Sequence, residues 1–107
     1  MFKVMIEGNA VRDCEVYKVS DDNDYKLIAV DVAVNITDGK VFYIRCTKKY
    51  LNKIAEKLND TIKKGQRLLV IGNFDIVTKE IEKTVGNKKQ KQLFENKCIY
   101  ATNIYVV

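Results

Sequence analysis

A strict alternation sets the terms for this chain. From Ile28 to Ile36, the residues Ile28, Val30, Val32, Val34 and Ile36 alternate with Ala29, Asp31, Ala33 and Asn35. A period of two is that of a β-strand with one face buried and the other open. Thr37-Asp38-Gly39-Lys40 follows, and Asp-Gly between two strand patterns is a strong hairpin signal because both residues tolerate positive φ. The next strand is therefore antiparallel to the first and turns Phe42, Ile44 and Cys46 to the core. Val41, Tyr43, Arg45 and Thr47 then share the open face of Asp31 and Asn35.

Around this hairpin most of the chain keeps the strand period. Phe2, Val4, Ile6 and Gly8 alternate with Lys3, Met5 and Glu7, giving a first strand that continues toward Val19. Gly8 marks a bulge or bend where the chain changes sheet partner. Ser20 to Asp24 reads as a polar turn. After the hairpin, Thr47 is positioned to cap a helix whose apolar residues Leu51, Ile54, Ala55 and Leu58 fall at i, i+3, i+4 and i+7. Residues 62–65 end it. Leu68, Val70, Gly72 and Phe74 mark a fourth strand, and Cys98 to Val107 a fifth. Between them, residues 79–92 hold five Lys and two Glu around Gly86-Asn87, read as a mobile hairpin loop. Phe2, Phe42 and Phe74 are assigned to the core by the same alternation.

The order β, β, β, α, β, β predicts an all-β domain with one helix, an OB-fold, filling residues 1–107 as a single domain. This is a five-stranded Greek-key barrel with the helix between strands three and four. Barrels of this kind bind oligonucleotides or sugars across strands two and three, between the loops that join strands one to two and four to five. Composition removes most other functions. The chain has no His, so the commonest general base and metal ligand is missing. Its three cysteines, Cys14, Cys46 and Cys98, are widely spaced and form no C-x-x-C, which fits neither a zinc site nor a disulfide framework. They read as small buried hydrophobes in a reducing compartment. No apolar run approaches the length of a membrane span. The expectation is a cytoplasmic, non-catalytic protein without cofactor or metal. Its 19 Lys and Arg against 14 Asp and Glu leave a mildly basic charge of +5.

Several stretches in order resemble the bacterial single-stranded DNA-binding protein family over nearly the whole chain. Lys3-Val4 leading to Gly8-Asn9 and Asp13-x-Glu15 is similar to the family's opening strand. Val32-Ala33-Val34-Asn35 resembles its small-residue second strand, and Tyr43-x-Arg45 its W-x-R on strand three. Lys63-Lys64-Gly65-x-x-Leu68-x-Val70-x-Gly72 is similar to its fourth strand, and Ala101-x-x-Ile104 to its last. The resemblance implies that Lys3, Tyr43, Arg45 and Lys64 hold DNA, with Tyr43 standing for a stacking Trp. It also implies a homodimer or homotetramer. The sequence reaches Val107 without the acidic-tipped tail by which cellular members recruit repair proteins, which points to a tail-less member or a primosomal-type paralogue.

The chemistry of the residues agrees. Cationic side chains neutralise phosphates, and aromatic faces stack with any base. Tyr43 and Arg45 lie two apart on one strand and so point the same way. The lysines Lys79, Lys83, Lys88, Lys89, Lys91 and Lys97 fall in or beside the loop between strands four and five, a second place for phosphate contact. The helix lysines Lys48, Lys49, Lys53 and Lys57 read as solvent cover, and Asp31 and Asp75 have no partner that would make them catalytic. The function read from the sequence is binding and protection of single-stranded DNA without sequence preference, in replication, recombination or repair. A single-stranded RNA binder, or a protein-interaction module whose nucleic-acid site has drifted, stands as the alternative.

Overall fold

In the computed structural model, residues 2–107 are described, with side chains for all of them except Asp22, Lys79, Ile81, Lys83, Gln92 and Phe94. The elements run β1 (Phe2–Ala10), β2 (Glu15–Val19), β3 (Asp22–Asn35), β4 (Val41–Leu51), α1 (Asn52–Thr61), β5 (Arg67–Val85) and β6 (Lys88–Val106). They form one sheet in the order β1-β5-β6-β4-β3-β2, and a further pairing of β1 with β3 closes it into a barrel. β4 and β6 run parallel through Arg45–Thr47 and Cys98–Tyr100. The OB-fold expected from the element order is thus observed. Its first strand is split in two, since Val11–Cys14 interrupts the ladder between β1 and β2.

The split has a local cause at Gly8. β1 pairs with β5 from Phe2 to Asn9 and, at Asn9 and Ala10, also with β3. A Cβ on Gly8 would collide with the carbonyl oxygen of Ala33 and stand 2.8 Å from Cγ1 of Val32. Only glycine lets the two backbones cross this closely. The expected change of sheet partner therefore occurs here. The Asp-Gly turn also forms as expected, with Asp38 at φ 62° and Gly39 at φ 75°.

Three expectations about element boundaries are corrected. Thr47 does not cap the helix, because β4 continues to Leu51, Thr47 pairs with Ala29 of β3 and Tyr100 of β6, and helix α1 starts at Asn52. Leu51 occupies the cap position without a side-chain cap bond. Ser20–Asp24 is a tighter turn than expected: Asp21 takes φ 64° and β3 already begins at Asp22. The charged segment 79–92 is not a loop but paired strand, with β5 and β6 in register out to Val85 opposite Lys88. Gly86, at φ 64°, makes the turn. The resulting arm stretches the molecule: the radius of gyration is 16.1 Å, against roughly 13 Å for a compact chain of this length.

The core is the barrel interior. Ile28, Val30 and Val32 of β3 meet Ile44 and Cys46 of β4, Leu68 and Val70 of β5, and Ile99 and Ile104 of β6. Ala55 of α1 and Ile62 just beyond it are fully buried against them, whereas Leu51 and Ile54 of the expected apolar stripe are exposed. Phe74 packs at the edge of the core, but Phe2 and Phe42 do not enter it, being 77% and 43% exposed. Phe2 is the first residue of its strand, and Phe42 precedes the stretch where β6 accompanies β4. The Lys97 ammonium instead lies 5.0 Å over the Phe42 ring.

Candidate nucleic-acid interface

The registers place the site residues on the outer face of the barrel. Directly opposed residues of neighbouring strands share a face. One row runs Asp75, Cys98, Arg45, Asp31 across β5, β6, β4 and β3. A second runs Lys3, Asn73, Tyr100, Thr47, Ala29. Tyr43 stands opposite Ala33, whose methyl group leaves the ring uncovered. The ring side chain is 64% exposed, so it is available as a stacking surface and does not belong to the core.

Tyr43 and Arg45 form the floor of a cleft of about 690 Å³. Val11 and Arg12 from the β1–β2 connection close one side. Val77 of β5 and residues 95–98 of β6, at the base of the arm, close the other. These are the two walls expected of a ligand groove on this barrel. Arg12 and Val11 were not expected in the site, and the signal that locates them is Gly8, because the crossing of β1 over β3 throws the following residues onto the β3–β4 face.

The electrostatics differ from those of a simple cationic shelf. Arg45 donates from Nη1 to both Asp31 carboxylate oxygens at 3.2 and 3.3 Å, and from Nη2 to Glu15 at 3.4 Å and to the Tyr17 hydroxyl at 3.3 Å. The Tyr17 hydroxyl in turn donates to Glu15. Arg12 Nε lies 3.4 Å from the same Asp31. Burial pushes the Arg45 guanidinium down, yet the hydrogen bond to Glu15 and the charge of Asp31 outweigh it and raise its pKa above the ordinary value. Two guanidiniums thus face two carboxylates. Among the described lining groups, Lys97 and Glu95 also offset each other. These pairs are partly exposed, with side-chain exposures of 37% for Arg45 and Glu15 and 19% for Asp31, and such pairs hold by about 0–1 kcal/mol each.

The lysines proposed from sequence separate into groups. On the arm, alternation places Lys88 on the face of Asn96 and Cys98 and puts Lys89 and Lys91 on that of Glu95 and Lys97, and residues of both faces line the cleft at the arm's base. Lys89 lies 3.9 Å from Glu82 and Lys91 3.5 Å from Glu80, both on exposed side chains. The side chains of Lys79 and Lys83 lie outside the described residues. Lys3 is exposed on the row beyond Arg45, on the same surface but outside the cleft lining. Lys64 sits in the turn after α1, where its backbone N–H donates to Asp13 Oδ1 at 2.8 Å, also outside the lining. Among the described residues no cluster of His, Cys, Asp or Glu is arranged to hold a metal. Of the cysteines, Cys14 and Cys46 are buried, whereas Cys98 is half-buried and lines the cleft.

A comparison with solved structures resolves what kind of barrel this is. The small single-stranded DNA-binding protein of Streptomyces coelicolor superposes with a TM-score of 0.67 over 99% of this chain and 94% of its own, at 12% sequence identity. The fold is theirs. A deletion mutant of the single-stranded DNA binding protein from Thermus aquaticus superposes with a TM-score of 0.65 over the whole of this chain and 41% of that one, at 17% identity. No family model matches the sequence, and no curated protein matches it either. At such identities the likeness lies in the barrel, and individual positions carry their own argument.

Proposed function

We propose that this chain binds single-stranded DNA without sequence preference and protects it during replication, recombination or repair, as a non-catalytic protein. One observation carries the reading: an exposed aromatic ring, Tyr43, on the floor of a groove crossing β3 and β4. Both neighbours with this barrel are single-stranded DNA-binding proteins. In this reading a base lies flat on Tyr43, and Arg12, Arg45, Lys97 and Lys88 meet the backbone on either side, with Lys3, Lys64, Lys79, Lys89 and Lys91 extending the contact. Fluorescence anisotropy with labelled dT oligomers tests it. Tyr43→Ala, which leaves an exposed position shortened and the core untouched, weakens binding by the value of one stacked base, about 1–3 kcal/mol. Unchanged affinity in the folded variant removes the stacking role.

Binding also depends on salt. If about five phosphates are contacted, a slope of roughly −0.7 per contact weakens binding ~10²-fold between 50 and 200 mM salt. A flat response contradicts phosphate contact. The alternative of a protein-interaction module is favoured by one feature, the cancellation of charge around Arg45. Absence of binding to dT oligomers at micromolar protein selects that reading, and competition between matched DNA and RNA oligomers separates DNA from RNA. We further infer a homodimer or homotetramer, since Met5 of β1 and Tyr100 and Tyr105 of β6 are exposed large side chains on one face of the sheet around β5. Sedimentation velocity tests that. The free cysteines suit a cytoplasmic setting, and no helix among the described residues is long and apolar enough to cross a membrane.

A further inference from the structure

The geometry points to Asp31 and Glu15 as built-in competitors that hold the cleft's arginines until a nucleic-acid phosphate displaces them. This rests on the nucleic-acid reading above and assigns a specificity role to two carboxylates within it.

Arg45 is the only side chain whose guanidinium reaches both carboxylates among the described residues. Its Nη1 is taken by both oxygens of Asp31 and its Nη2 by Glu15 and the Tyr17 hydroxyl. Asp31 also draws in Arg12 from the opposite wall. A guanidinium is a planar fork whose donors match carboxylate and phosphate alike. A phosphate entering the groove beside Tyr43 therefore meets donors that are already pointed and already occupied. For it to bind, one carboxylate must let go, and the charge left on that carboxylate then repels the strand. The carboxylates belong to rigid elements, since Asp31 is held in the middle of β3 directly opposite Arg45 and Glu15 begins β2 opposite Ala29. Their backbones therefore stay beside the groove when a carboxylate lets go. The consequence is a site that releases its ligand easily and binds weakly for its aromatic content. Polyanions that offer no unstacked base for Tyr43 are excluded, because stacking must supply what the displaced ion pairs give up.

The test is dT-oligomer anisotropy at 50 and 200 mM salt with the wild type, Asp31→Asn and Glu15→Gln. Both substitutions keep the shape and the carbonyl acceptor and remove the charge. Asp31→Asn is expected to tighten binding about 3- to 10-fold at 50 mM salt. It also steepens the salt slope by roughly 0.7 for each guanidinium freed, so the fourfold rise in salt costs the variant about 2.6 times more per freed group than the wild type. Glu15→Gln, at the more exposed pair, shifts both quantities in the same direction by less and serves as the second reading should Asp31→Asn fail to fold. Unchanged or weaker binding by the folded variants, with the wild type binding, overturns the competitor role and makes the carboxylates supports that orient Arg45. Binding by neither wild type nor variants overturns the nucleic-acid reading together with this one. Binding by the variants alone means that the native carboxylates close the site outright, which overturns their exchange with phosphate and selects the protein-interaction reading.

Discussion

Gly8→Ala is expected to cost about 3 kcal/mol of stability, read as a fall of roughly 10–20 °C in Tm for a domain of this length. The single methyl group would overlap the carbonyl oxygen of Ala33 and crowd Val32. The closer of these is backbone in the middle of β3, so relief requires moving a strand and not rotating a side chain. The crossing also aims Val11 and Arg12 at the cleft, so the variant loses ligand affinity along with stability. Gly86→Asn is the control. Its φ of 64° is one asparagine tolerates, and nothing lies within 4 Å of an added Cβ. It should change stability by less than about 1 kcal/mol. Equal and small effects at both positions contradict the account of the barrel closure.

The second large effect is an alkaline one. Burial pushes the Cys46 thiol up from its ordinary 9.0 to about 12, with smaller contributions from Asp31 and Cys98. Because the folded state holds this proton more tightly than the unfolded chain, the stabilisation is fully present below about pH 9. It is lost as pH rises through the window to 12. At about 1.36 kcal/mol per unit, the loss approaches ~4 kcal/mol by pH 12 and ~3 kcal/mol by pH 11. Tyrosines and lysines titrate in the same range, so the relevant quantity is the difference from Cys46→Ala, which carries no thiol there. Urea unfolding at pH 8, 9, 10 and 11 should show the wild type losing about 3 kcal/mol more than the variant. Parallel losses would mean that the thiol is not held protonated by the fold.

Much of this barrel was legible because its interior is written in period two. Val30, Val32, Ile44 and Cys46 announce one face, and that parity put Tyr43 and Arg45 on the other. The exact partner was less legible. A strict two-residue turn at Asp38-Gly39 would pair Thr37 with Lys40 and set Asp31 beside Cys46. The structure instead bonds Ile36 N–H to the Lys40 carbonyl at 2.9 Å and sets Asp31 opposite Arg45. Burial of the hydrophobic face outweighed the shortest turn and decided the register. Tertiary context also overrode local signals. Thr47 is a good helix cap by chemistry, but pairing with strands on both sides kept it in β4. The Lys- and Glu-rich segment 79–92 looked like a loop by charge, yet alternate residues on each strand find cross-strand partners, Lys89 near Glu82 and Lys91 near Glu80. Arg12 carries no signal of its own, since its place depends on the backbone crossing that Gly8 permits.

The arm is a ladder of matched rungs from Asp75 opposite Cys98 to Val85 opposite Lys88, and that makes its length adjustable in fixed steps. Excising two residues from each strand at the same rungs removes one full pleat and shortens it while every remaining side chain keeps its cross-strand partner and its face. Excising one residue from each strand at the same rung keeps those partners but turns every side chain distal to the cut to the opposite face, exchanging the side of Lys88 with that of Lys89 and Lys91. Two-residue and one-residue excisions from both strands would thus separate reach from orientation.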